Sequence, residues 1–140
     1  MKIVVGHHDG PEAEAALERA RELGHEQGAE IHIVHFAQLP DDEEDAYDYV
    51  AAREQEQQEA DQLADRYRAE GLTCDVHHVH DVREPAEAIL SVANEVGAEL
   101  IIIGMRRRSR VGKLVFGSTA QSILIDSECP VLAVKPKPTS

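Results

Sequence analysis

Short apolar runs rich in β-branched residues recur along the chain, with helical patterns between them. The runs are Ile3–Val5, Ile31–Phe36, Cys74–Val79, Leu100–Ile103 and Val131–Val134. Runs of this length, bounded by Gly or Pro, predict strands alternating with helices. Such alternation folds as an α/β parallel sheet covered on both faces, with right-handed crossovers. Leu100–Ile103 has no polar position and ends at Gly104. That is the composition of a strand buried on both faces.

The intervening segments carry helix signals. Pro11 suits a first turn, and Glu12 and Glu14 are favourable near a helix N-terminus. Ala13, Ala16, Leu17 and Ala20 follow at helical spacing, and Gly24 and Gly28 mark the end. Pro40 stops the second strand, and the acidic run Asp41–Asp45 reads as a loop. A polar helix is predicted from about Ala46 to Ala69, with a thin apolar face of Val50, Ala60, Leu63, Ala64 and Tyr67. Pro85 opens a third helix with Ala86, Ile89, Leu90, Ala93 and Val96 inward, stopped by Gly97. A last helix begins near Ser118, with Ala120, Ile123 and Leu124 apolar. The 140 residues predict one domain over 1–140, large enough for a real core.

Several function classes are disfavoured. The formal net charge of −13 argues against nucleic-acid binding, which needs a basic face. It fits a solvated acidic surface or a saline environment. No apolar run approaches the ~18 residues of a membrane span, and IVVG is too short for a signal peptide. Cys74 and Cys129 are too few for a disulfide framework and predict the reducing cytoplasm. Both read as small core residues.

The loop from Gly104 to Ser118 departs from this acidity. Arg106, Arg107, Arg108, Arg110 and Lys113 are five of the chain's 14 basic residues. Arginine forks pair with phosphate oxygens. Gly117 and Ser118 then open a helix, and backbone N–H groups at such a start favour anions. Gly104 and Gly117 permit close backbone approach, and Ser118 adds a hydroxyl. The alternative is solvated surface charge in weak ion pairs with the acidic helices.

Along nearly its whole length the chain resembles the universal stress protein family. Nucleotide-binding members carry Gly-x2-Gly-x9-Gly-Ser/Thr after the fourth strand. The register falls here on Gly104, Arg107, Gly117 and Ser118, with Arg107 in place of the second Gly. The tail SILIDSECPVLAVK resembles the family's closing helix and fifth strand. The resemblance implies strand order 3-2-1-4-5, the adenine nucleotide alpha hydrolase-like fold, and a homodimer. It also implies a crevice for ATP, with magnesium, between the first and fourth strands. Its lining would be Gly6, His7, His8 and Asp9 after the first strand, and Phe36 from the second. Ile103, Gly104, Met105, Arg106 and Arg107 would follow the fourth strand, with Gly117, Ser118 and Thr119 beyond.

Three of these positions are open. The family's ribose-binding Asp falls on His8, and a one-residue adjustment of the turn would restore Asp9; the alternative is a merely polar turn. Phe36 could meet adenine through its backbone or belong to the core. Arg107 costs about 1–2 kcal/mol if the position needs a positive φ. Its side chain could fill the place of a phosphate, or supply charge in place of a backbone N–H.

His77, His78 and His80 raise a metal reading. In a strand His78 and His80 share one face and His77 takes the other. Two imidazoles, with Asp81 as the nearest third donor, fall short of a structural zinc set. A polar strand end is the simpler reading. No nucleophile turn and no Walker pattern is present. The expected function is a cytoplasmic stress-response protein that holds ATP as a regulatory ligand. The alternatives are a dimeric interaction protein without nucleotide, or a slow ATPase with Asp9 as its one candidate carboxylate. The dimer is expected through Val131–Val134, whose VLAV is apolar on both faces and an edge strand in the family's order.

Overall fold

The computed structural model describes residues 1–8, 10–38, 46–107 and 113–136, without the side chains of residues 37, 38, 46–48, 81 and 107. Seven strands and four helices are formed among them. In chain order they are β1 (Lys2–His7), α1 (Pro11–Gln27), β2 (Glu30–Gln38), α2 (Ala46–Ala69), β3 (Cys74–Val82) and α3 (Pro85–Val96). Then come β4 (Leu100–Gly104), β5 (Arg106–Arg107), β6 (Leu114–Val115), α4 (Ser118–Asp126) and β7 (Val131–Val134).

The main sheet runs β3-β2-β1-β4-β7, and all its pairings are parallel. The expected order 3-2-1-4-5 is therefore found, with β7 as the fifth strand of that sheet. Strand alternation explains why both faces are apolar. Ile3, Val5, Ile31, Ile33 and Ile102 pack under α1 and α2. Val4, Val34, Ile101 and Ile103 pack under α3 and α4. A central strand thus has no position left for a solvated side chain, which is why LIII carries none.

The loop after β4 is more regular than its sequence predicts. Arg106 and Arg107 pair antiparallel with Val115 and Leu114. Arg107 thus sits in extended backbone. The expected loop over residues 41–45 and the stop at Pro40 lie outside the described residues. Two helix faces also differ from expectation. Val50 is 47% exposed and Leu124 42% exposed. Each sits at the right helical spacing, but no element among the described residues covers it.

Gly104 shows what holds α1 in place. A Cβ built on it would overlap the Glu12 carbonyl and lie 2.8 Å from the Glu12 Cα. The first turn of α1 therefore rests directly on the end of β4. The closeness expected between Gly104 and a phosphate is made instead with the helix backbone.

Candidate functional site

The strand order reverses between β1 and β4, which diverge toward β2 and β7 respectively. At such a reversal the segments leaving the carboxyl ends of the two strands part and open a crevice. A cleft of about 230 Å³ opens here. Its walls come from the end of β1, the first turn of α1, the end of β4, and the start of α4.

Eight of the residues expected at the site line this cleft: Gly6, His8, Phe36, Ile103, Gly104, Arg106, Gly117 and Thr119. Phe36 is half-buried; it lines the cleft and also packs against the core under α3. His7 lies apart from the cleft lining, its ring centroid 6.5 Å from that of His35. Met105 does not line the cleft either; its N–H donates to the Val134 carbonyl at 2.9 Å. Ser118 is exposed at the first position of α4. Asp9, Arg108, Arg110 and the side chains of Arg107 and Asp81 lie outside the described residues.

The cleft has two chemically distinct ends. One is apolar, with Phe36, Pro85 and Ile89. The other is polar. Gly117 precedes α4, no side chain caps that helix, and its first turn has no acidic residue. The N–H groups there point a partial positive charge outward. Arg106 lies beside them, its Nε 3.4 Å from where a Cβ on Gly117 would stand. Glu12 faces Arg106 across the cleft, Oε1 to Nε 3.3 Å. Sequence reasoning gave Glu12 only a favourable place near a helix dipole. Its approach to Arg106 comes from the contact of α1 with Gly104, which no local pattern reveals.

Four of the histidines form two separate pairs, one on each side of the sheet. On the α3 side, His32 Nδ1 lies 2.9 Å from His77 Nε2, and His32 Nε2 lies 3.0 Å from Glu30 Oε2. On the α2 side, His35 Nε2 lies 3.3 Å from Glu56, and His78 Nε2 lies 3.0 Å from Asp61. The two Nδ1 atoms of His35 and His78 are 3.4 Å apart. His77 and His78 do take opposite faces, and each has a side-chain partner at this polar strand end. Burial pushes His35 and His77 below the ordinary histidine range, with neighbouring imidazoles adding to the effect. Among the described residues no three His, Cys, Asp or Glu side chains are grouped to hold a metal ion.

Cys74 is buried, and burial pushes its thiol up to about 11. Cys129 is only half-buried. No helix among the described residues is long and apolar enough to cross a membrane.

Comparison with known proteins adds four findings. Residues 1–135 match the universal stress protein family. A universal stress protein of Mycolicibacterium smegmatis is 32% identical over 134 residues, covering 96% of this chain and 97% of that one. A universal stress protein structure from Archaeoglobus fulgidus superposes with a TM-score of 0.75 at 30% identity, over 96% of this chain and 98% of that one. A further structure from Archaeoglobus fulgidus, in complex with dAMP, gives 0.66 at 26% identity, covering 96% and 98%.

Proposed function

The chain belongs to the universal stress protein family, and from that premise we propose that it binds an adenine nucleotide in the cleft between β1 and β4. The observation that carries the reading is the polar end of the cleft. The uncapped start of α4, Gly117 and the Arg106 guanidinium converge there. Phosphate suits that end, through backbone N–H groups and a guanidinium. The purine suits the apolar end at Phe36 and Ile89. The dAMP complex of the Archaeoglobus fulgidus relative supports the same ligand class, and ATP belongs to it. Magnesium would then arrive with the phosphates rather than on a protein site.

The nucleotide acts as a regulatory ligand in a cytoplasmic stress-response protein formed by residues 1–140 as one unit. Turnover is slow at most, since hydrolysis needs a positioned water and metal ligands. The working form is a homodimer through β7. That strand pairs only with β4 among the described residues, and Val131 to Val134 are all half-buried. Mass spectrometry of small molecules released from the purified, denatured protein tests the ligand. An adenine nucleotide supports the reading. None, even after incubation with ATP, would turn it toward the dimeric interaction protein without nucleotide.

A further inference from the structure

Glu12 is the unexpected group in an anion site. Its position is built rather than incidental. The Glu12 backbone is seated on Gly104, where no Cβ could stand. The carboxylate lies over Gly10, so that a Cβ there would be 2.9 Å from both oxygens. Gly10 has φ 129°, a conformation that favours glycine. The side chain is only 16% exposed, whereas Arg106 is 62% exposed. Gly104 thus seats the helix backbone and Gly10 makes room for the carboxylate beside Arg106.

The electrostatic consequence is specific. Arg106 is the one cationic side chain lining the cleft among the described residues, and Glu12 already neutralises it. The carboxylate stands within two contact lengths of the Gly117 position, through the same Arg106 Nε. A single phosphate can sit at the start of α4 and share the guanidinium. Further phosphates bring more negative charge toward a fixed carboxylate, and like charges in a partly desolvated site repel strongly.

We propose that Glu12 is a specificity-determining residue of the cleft. Its carboxylate, over Gly10 and against Arg106, makes the site take an adenine nucleotide with one phosphate in preference to a triphosphate. This rests on the reading of the cleft as a nucleotide site.

Calorimetric titration with AMP and with ATP, both free of magnesium, separates the possibilities. The proteins are the wild type, Glu12→Gln and Glu12→Asp. The wild type should bind AMP roughly tenfold more tightly than ATP. Glu12→Gln should raise ATP affinity about tenfold while moving AMP less than about threefold. Glu12→Asp keeps the charge and should keep the AMP preference. Melting curves of all three proteins control for folding. A wild type that prefers ATP, or a Gln variant that shifts both ligands equally, overturns the role of Glu12 and leaves the nucleotide site standing. Failure of the wild type to bind either nucleotide overturns the nucleotide reading itself, and this inference with it.

Discussion

Two glycines of one sequence motif should respond to alanine in opposite ways. In Gly104→Ala the new methyl group meets the backbone of Glu12, with the Cα 2.8 Å away. Side-chain rotation cannot relieve it, because the obstructing atoms belong to a helix. Overpacked core sites cost about 1–3 kcal/mol, and a backbone obstruction places this one near the upper end, about 3 kcal/mol. For a chain of this size 1 kcal/mol corresponds to roughly 3–4 °C in Tm, so Tm should fall by about 10 °C. Gly117→Ala meets only the Arg106 side chain, at 3.4 Å from Nε. Its φ of −70° and ψ of 172° are open to any residue. Loss of unfolded-state freedom should then leave its stability unchanged or raise it by about 0.5 kcal/mol. Thermal unfolding followed by circular dichroism, with urea titration as a check, reads both variants. A Gly104→Ala protein melting within about 2 °C of the wild type would refute the packing of α1 on β4.

Three further outcomes follow from the same geometry. His35 and His77 are held below the ordinary histidine value by burial, so the unfolded chain binds more protons below about pH 6.5. Stability is therefore present above that value and lost as pH falls below it. Each fully effective group gives at most about 1.4 kcal/mol per pH unit. Urea midpoints at pH 5.5 and 7.5 should show the lower stability at 5.5, and equal midpoints would contradict the burial of both imidazoles in neutral form. Cys129 should react with a maleimide in the native state, while Cys74, buried and with its thiol pushed up to about 11, should react only on unfolding; peptide mapping distinguishes them. Light scattering at micromolar concentration should give a dimer that Leu132→Lys weakens; a mass of 15.4 kDa for the wild type would remove the dimer.

The elements were legible because their signals are local. Pro11 and Pro85 begin helices as their fixed φ requires, and the β-branched runs form the central strands. The misses arise where the decisive partner is distant in sequence. Val50 and Leu124 follow the helical period, yet periodicity does not say whether another element covers a face. Gly104 looked like a phosphate glycine because its neighbour, the Glu12 carbonyl, is far away along the chain. The hairpin of Arg106–Arg107 with Leu114–Val115 is too short to show a period of two. His32 and His35 stand among apolar strand positions, where no local pattern singles them out. They are 5% and 1% exposed, and the nearby carboxylates of Glu30 and Glu56 partner them. A histidine at an inward strand position is the signal that could have found them. The cleft was legible only in part. Gly117 and Arg106 were visible in the motif and the basic cluster, whereas Glu12 required the packing of α1.

The central claim is that the cleft beside Gly117 holds adenine nucleotide. Calorimetric titration of AMP into the wild type and into Gly117→Val tests it most directly, since a Cβ there meets only the Arg106 side chain and valine adds bulk beside it. The account predicts saturable binding by the wild type and loss of at least tenfold in affinity in the variant, with both proteins equally folded by circular dichroism. Equal affinity in the two proteins would contradict it.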